Sequence, residues 1–519
     1  MKKCDKKNCY TVYAVLLVEI LLMVLLFAYK ASPLYNVFGG DPLEYKLGGA
    51  AVIDGLTIFK DIFHQKGSLF FFIEALGELI CRWFNNEVIG TFIIESVNML
   101  ATATIMYFSS AYCLGGYGFS NNKRYAFSFV IVNICILFWL TRALGGNNNE
   151  EYSLLYNIIA IAIALEYANR LDNEKPYANA EFKPLYAFFI GVCFAVSVSI
   201  RFTNAAVIGG VIIFIGIILI KNKSVKVIFK CIGFGFVGIL IVILPQLVYY
   251  YLNDALEEML YQSFIFNFQY LRNYEMVSSV ESNSIRYALV CYALIIGSFL
   301  LSISAFIVSK KKHITGLSIS LSLINMIMYL STSISLSHYM LLQIPVLFVL
   351  MIAASTVNHK KLYTLFLSIA LCVFGLYFSK TYYQFYNDYN SRVKPECTQL
   401  IQQTDSFYDD VYYLIEDDKK NDMLFLMDFN DAIYGYYHFQ RYPFSPYFSV
   451  RFFAVQGQSK YVDAFYDDYE AKPPKYIVAS NEYIKSDEDN LYYQPVINDL
   501  ADRYSLSYTD GVYSFYTLK

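Results

Sequence analysis

The stretch LYAFFIGVCFAVSVSIRFTNAAVIGGVIIFIGIILI, residues 185–220, decides how this chain is built. It is apolar apart from a short break at Arg201, Thr203 and Asn204. Read as one long helix, it would invert every element that follows. Read as two runs, 185–200 and 205–220, each half approaches the ~20 residues that cross ~30 Å of hydrocarbon. The two-helix reading is preferred because it keeps the later lysine-rich loops on the same side as the earlier ones.

Further runs of this kind lie at about 11–28, 87–112, 125–141, 153–168, 227–249, 288–308, 315–334, 339–356 and 362–379, which makes eleven spans. The whole chain has 519 residues, 57% of them hydrophobic and 16% charged. A typical soluble domain has roughly 45–50% and about 25%. The first run follows Lys2, Lys3, Lys6 and Lys7 and reads as an uncleaved helix, since no small-x-small cleavage site follows it. The net charge of −3 and the lack of a basic stripe exclude nucleic acid as a partner. Most of the ten cysteines fall inside apolar runs, and only Cys81 and Cys397 are placed to face an oxidising side.

Lys and Arg mark the cytoplasmic loops of a membrane protein. With the N-terminus inside, Lys123 and Arg124, then Arg170, Lys175 and Lys183, then Lys221, Lys223 and Lys226, then Lys310 to Lys312, then Lys360 and Lys361 all fall on that side. The expected protein is therefore a multi-pass plasma-membrane protein with a cytoplasmic N-terminus. Its outer segments are a first loop at 31–86, residues 142–152, residues 250–287 and the tail. From Lys380 onward the chain holds 22 Asp and Glu against 13 Lys and Arg, so the acidity is concentrated there. Short β-like runs at Met423 to Met427, Tyr476 to Ala479 and Val512 to Tyr516, broken by turn residues, predict a soluble extracytoplasmic α/β domain at 381–519 behind a membrane region at 1–380.

The polar residues of the membrane region gather on the outer side, where ionisable groups imply a wet cavity. The first loop opens with Phe38-Gly39-Gly40-Asp41-Pro42-Leu43-Glu44-Tyr45 and continues to Asp61-Ile62-Phe63-His64-Gln65-Lys66-Gly67-Ser68. Asp41 either serves as a general base toward an acceptor hydroxyl or caps a helix that begins at Pro42, an Asp-Pro-x-Glu pattern. The second outer loop carries Glu150 and Glu151. Adjacent residues point about 100° apart on a helix, so either one faces the cavity and the other solvent, or both belong to a solvated loop that precedes a helix. Lys66 and Arg201 suit an anionic phosphate, or they snorkel at helix ends. His338, between Ser337 and Tyr339, reads either as an interfacial histidine or as a ligand-binding group. No metal, dinucleotide, Walker or nucleophile-elbow motif is present.

These segments together resemble the GT-C superfamily of membrane glycosyltransferases. They are most similar to the bacterial branch related to dolichyl-phosphate-mannose protein mannosyltransferases and the lipid A aminoarabinose transferase. The resemblance rests on Gly40-Asp41 after the first helix and on Asp61-Ile62-Phe63-His64-Gln65-Lys66-Gly67-Ser68-Leu69, continued by Phe72-Ile73-Glu74-Ala75-Leu76-Gly77. It rests also on Gly146-Asn147-Asn148-Asn149-Glu150-Glu151-Tyr152 and on Arg201-Phe202-Thr203-Asn204-Ala205. Pro42 stands where parts of the family have a second acid, His64-Gln65 where they have Asp-His, and Ser68 where they have Pro.

The resemblance implies a GT-C-like membrane fold and transfer of a sugar from a polyprenyl-phosphate carrier to a glycan, lipid or protein acceptor on the outer side. It implies Asp41 as catalytic base, assisted by Glu44, Glu150 or Glu151, and a donor site near His64, Lys66, Arg201, Asn204 and His338. It implies inversion at the anomeric carbon. No cofactor is called for; a divalent metal would be compatible with this chemistry, but no ligand cluster asks for one. A transporter or flippase of a lipid-linked glycan would carry polar groups through the midplane, and a membrane scaffold with a partner-binding tail is the remaining alternative.

Overall fold

The computed structural model describes residues 3–28, 30–34, 41–143, 145–173, 181–268, 282–331, 337–357, 395–415, 421–455, 457–486 and 490–519. The run at 362–379 and the Phe38-Gly39-Gly40 turn lie outside the described residues. Among those described, eight helices are long and apolar enough to cross a membrane: Tyr10–Phe27, Ile89–Gly116, Asn121–Arg142, Asn149–Asn173, Phe202–Lys221, Val225–Leu252, Leu289–Val308 and Lys312–Ser331. Pro184–Ile200 and His338–Ala354 are shorter apolar helices. These ten helices match the first ten apolar runs of the sequence. Phe229, Ile232, Phe236 and Ile241 on Val225–Leu252 are exposed, as lipid-facing side chains would be.

The 185–220 stretch is two helices. Pro184–Ile200 stops at Arg201, whose backbone is extended, and a 3-10 turn at Phe202–Ala205 leads into Ala206–Lys221. A break of this kind frees backbone carbonyls, which must find partners inside the protein. Asn157 Nδ2 meets one of them, donating to the Asn204 carbonyl at 3.1 Å.

The chain divides into two compact units. The first comprises Met1–Asn36, Thr91–Val248 and Ser279–Phe385, and the second Val37–Gly90, Tyr249–Ser278 and Tyr386–Lys519. In the first, helices pack through apolar faces and a few buried polar bonds. Asn325 Nδ2 donates to Gln343 Oε1 at 2.6 Å, and Gln343 Nε2 donates to Ser298 Oγ at 2.8 Å. The Asp172 carboxylate accepts the His313 and Ile314 amides, each at 3.1 Å, and so satisfies the opening donors of Lys312–Ser331.

In the second unit, the segment read as a first loop contains two helices, Asp41–Ile53 and Ser68–Phe84. The tail forms a five-stranded mixed sheet: β1 Asn421–Leu426, β2 Tyr442–Pro443, β3 Tyr476–Ser480, β4 Tyr504–Thr509 and β5 Tyr513–Leu518, in the order β2-β1-β3-β5-β4. β1 is parallel to β2 and β3, and β5 is antiparallel to β3 and β4. Leu424, Leu426, Ile477 and Ala479 pack with Phe465 and Val496 in its core. Phe63, Phe266, Phe453 and Tyr461 form another buried cluster, which joins the three chain segments of this unit. Cys81 is a buried free thiol, and the side chain of Cys397 lies outside the described residues.

Candidate active site

The residues singled out from the sequence fall into two sets, one in each unit. Asp41, Glu44, His64 and Lys66 belong to the second unit. Asp41 and Glu44 occupy the first turn of Asp41–Ile53, where carboxylates complement the helix dipole. This helix crosses Ser68–Phe84 closely: a Cβ on Gly49 would stand 2.6 Å from the Glu74 backbone carbon, so only glycine allows the approach. That crossing sets Tyr45 edge-on against Phe70 at 4.7 Å and brings the first turn toward His64.

The 57–67 segment is tightly held. The Asp61 carboxylate accepts the Thr57 amide at 2.7 Å, and the Phe59 amide donates to the Ile62 carbonyl at 2.8 Å. Gln262, on a single π-helical turn at Tyr261–Ile265, accepts the His64 amide at 2.9 Å and donates to the Phe59 carbonyl at 2.7 Å. Ser263 Oγ donates to the Lys66 carbonyl at 3.3 Å. The loop that presents His64 and Lys66 is thus fixed from both sides.

His64 is 3% exposed, with its ring 4.5 Å from that of Phe71 and 5.9 Å from that of Tyr45. The Lys66 amide donates to its Nδ1 at 3.2 Å, so the ring proton resides on Nε2. Nε2 stands 3.3 Å from Glu44 Oε1. Burial, and then the Lys66 charge, push the imidazole down to about 3, so it is neutral at physiological pH. Glu44 moves the other way: burial first, then the negative charge of Asp41, push its carboxyl up to about 8, against the opposing pull of Lys66. Asp41 is exposed and accepts the Tyr45 hydroxyl at 3.2 Å. The Lys66 ammonium lies 5.8 Å from the Tyr45 ring centroid and, among the described residues, has neither an ion-pair nor a hydrogen-bond partner. The arrangement joins an accessible carboxylate, a neutral carboxylic acid, a neutral imidazole and an ammonium free to take an anion. Such a set can accept a proton from a hydroxyl and hold a phosphate.

The first unit holds Glu150, Glu151, Arg201, Asn204 and His338. The expectation that one of the two glutamates faces solvent fails: Glu150 is 1% exposed and Glu151 is 0% exposed. They do diverge as their spacing requires. Glu151 reaches back to Asn148 in a capping-box arrangement, with Oε1 accepting the Asn148 amide at 2.9 Å, and Oε2 accepts the Trp139 indole N–H at 2.7 Å. Glu150 pairs with the Arg201 guanidinium, which also lies 4.2 Å from the Tyr339 ring centroid. Asn204 Nδ2 donates to Ser153 Oγ at 2.7 Å. The His338 ring packs edge-on against Tyr339 at 4.7 Å. Beneath the loop, Glu95 Oε2 accepts the Asn147 amide at 3.2 Å. Gly146, at φ +97°, lies where a Cβ would stand 2.7 Å from that carboxylate.

Trp139, Gln262 and the ring of Tyr339 have no role in the sequence reading. Trp139 carried a usable signal, since a buried indole N–H seeks an acceptor and this one ends a span just before an acidic loop. Gln262 carried none, because its partners lie about two hundred residues away. Among the described residues, no group of three or more His, Cys, Asp or Glu is arranged to hold a metal ion.

No family model matches the chain, and no curated protein sequence matches it. Solved structures do. ArnT from Cupriavidus metallidurans, bound to undecaprenyl phosphate, aligns with a TM-score of 0.55 at 11% identity over 97% of this chain and 97% of that one. The oligosaccharyltransferase AglB from Archaeoglobus fulgidus, in complex with an inhibitory peptide and a dolichol-phosphate, aligns with a TM-score of 0.46 at 13% identity over 100% of this chain and 75% of that one. At 11% identity the likeness to ArnT is one of fold, and this chain combines helices of membrane-spanning length with a C-terminal mixed sheet.

Proposed function

We propose that this protein is a membrane glycosyltransferase that moves a sugar from a polyprenyl-phosphate carrier to an acceptor on the extracytoplasmic face, with Asp41 as general base. The observation that carries this reading is the cluster in the second unit, where the exposed Asp41 stands beside a carboxyl held neutral and a Lys66 ammonium that, among the described residues, has no ion-pair or hydrogen-bond partner. The fold shared with an undecaprenyl-phosphate-bound transferase supports it.

In this mechanism Lys66 binds the carrier phosphate, and Asp41 takes the proton from the acceptor hydroxyl as its oxygen attacks the anomeric carbon. The bond between that carbon and the phosphate oxygen breaks, and polyprenyl phosphate leaves with its electron pair. Attack from the face opposite the leaving group inverts the anomeric configuration. Glu44, kept protonated, spares Asp41 a second adjacent negative charge and can donate a hydrogen bond to the phosphate or to a sugar hydroxyl. In the first unit, the Glu150 and Arg201 pair, with the Tyr339 ring against Arg201, forms a separate polar cluster that includes Asn204 and His338 as candidate binding residues. A divalent ion, if one is used, would be drawn by the donor phosphate together with a carboxylate such as Asp41.

The joining of 37–90, 249–278 and the tail in one compact unit supports a topology that puts all three outside, with the N-terminus in the cytoplasm. The experiment is incubation of the purified protein with a panel of polyprenyl-phosphate sugars, following consumption of the lipid-linked sugar. Turnover of at least one donor is expected; movement of intact lipid-linked sugar across vesicles without turnover would instead make the protein a flippase.

A further inference from the structure

The three parallel strands of the tail sheet present their carboxyl ends along one edge. In open sheets of this kind, small ligands bind beyond those ends, at the point where the chain crosses from one flank to the other. β1 leads through the helix Phe429–His438 to β2 on one flank, and the chain then returns through Val450–Val455 and Ser459–Ala471 to β3 on the other. The crossing point therefore lies beyond β1 and β3.

A cavity of about 330 Å³ occupies that place, and the residues after each parallel strand contribute to it: Asp428 and Phe429 after β1, Ser449, Arg451 and Phe452 after β2, and Tyr483 after β3. Phe429 is 41% exposed, which is costly for a phenyl ring with nothing to cover it. Asp428 Oδ1 accepts the Asn430 amide at 3.1 Å, which holds the carboxylate in place, and Oδ2 has no bond among the described residues. The lining joins aromatic faces to a carboxylate, a guanidinium and a hydroxyl.

A saccharide has the matching chemistry. The C–H groups on one face of a sugar ring carry partial positive charge and rest on the negative face of an aromatic ring, while its peripheral hydroxyls both donate to a carboxylate and accept from a guanidinium. An apolar peptide side chain would use the rings but neither the carboxylate nor the guanidinium. The volume is at the small end of the roughly 300–1,000 Å³ typical of ligand pockets, which suits a mono- or disaccharide unit. We infer that this cavity binds a carbohydrate and that the acceptor is accordingly a glycan, a statement that rests on the transferase reading above.

The test uses the full-length protein in lipid nanodiscs on an array of immobilised mono- and oligosaccharides, comparing the native chain with Phe429→Ala and Arg451→Gln. Both side chains are exposed, and near-UV circular dichroism checks that the fold is kept. Binding of at least one glycan by the native chain, weakened tenfold or more in each variant, is the expected result. No glycan bound by the native chain, or binding indifferent to both substitutions, overturns the cavity assignment, as does a preference for aromatic peptides over glycans. Donor turnover measured on the same preparations separates the two claims. Glycan binding that depends on both residues without any sugar transfer upholds the cavity and breaks the transferase reading, whereas transfer without such binding breaks the cavity assignment alone.

Discussion

His64 Nε2 stands 3.3 Å from Glu44 Oε1, a neutral imidazole facing a carboxyl group that is itself largely neutral at physiological pH. Neither group behaves as its type does in water. Burial penalises the charged form of each, raising the acid and lowering the base; the Asp41 charge adds to the rise of Glu44 and the Lys66 charge to the fall of His64, while Lys66 on Glu44 and Asp41 on His64 oppose these shifts without reversing them. One negative and one positive charge are left in the cluster, on Asp41 and Lys66.

Glu44 should therefore set the alkaline limit of activity. Ionisation above about pH 8 places a second negative charge beside Asp41 and against an incoming phosphate. The rate of transfer is expected to fall as pH rises through about 8 in the native chain, and Glu44→Gln should flatten that limb in a pH–rate profile. Stability follows the same proton. The folded protein holds it up to about pH 8, whereas the unfolded chain releases it near 4.5, so stability is fully present below 4.5 and declines up to about 8. The loss is at most on the order of 5 kcal/mol, and chemical unfolding at several pH values should show a shallower decline in Glu44→Gln.

Lys66 should govern carrier affinity. A hydrogen bond to a charged group contributes about 1.5–3 kcal/mol, or roughly tenfold to a hundredfold in affinity. Lys66→Gln is expected to weaken binding of a polyprenyl phosphate by that factor, and Lys66→Arg to restore most of it, as read by thermophoresis in detergent.

The Glu150–Arg201 pair should show strong coupling. Removing one member of a buried pair leaves the other charge without compensation, at a cost of roughly 3–5 kcal/mol. Glu150→Gln and Arg201→Met should each lower thermal stability in detergent, and the double variant should lose much less than the sum of the two. Additive losses would mean that the two side chains do not depend on each other.

Trp139 should prove structural. Trp139→Phe keeps the ring and removes the N–H that Glu151 accepts, leaving part of a buried carboxylate unsatisfied at about 1–3 kcal/mol. A lower melting temperature with unchanged affinity for the carrier is expected.

Much of this architecture was legible in the sequence, for reasons that also explain what was not. The break at Arg201 was legible because three polar residues interrupt an otherwise apolar run. β1, β3 and β5 announced themselves as short apolar runs, because they form the buried centre of the sheet. β2 was missed because it is two residues long and ends in proline, and β4 because it is an edge strand whose side chains are mostly exposed and polar. Asp41, Glu44, His64 and Lys66 stood out as candidates by residue type and order, but the neutral state of Glu44 depends on burial that no local pattern reports. The grouping of 37–90 with the tail was hidden as well, since it rests on contacts such as Phe63 with Phe453 at 4.8 Å, almost four hundred residues apart.

The most direct measurement is sugar transfer from a polyprenyl-phosphate donor by purified native protein and by Asp41→Asn, at matched membrane insertion and abundance. Asparagine keeps the size and the helix-end polarity of the side chain but cannot accept the acceptor's proton. The account predicts that transfer falls by about 10²–10⁴ while carrier binding stays within a few-fold of native. Full transfer by Asp41→Asn would contradict it.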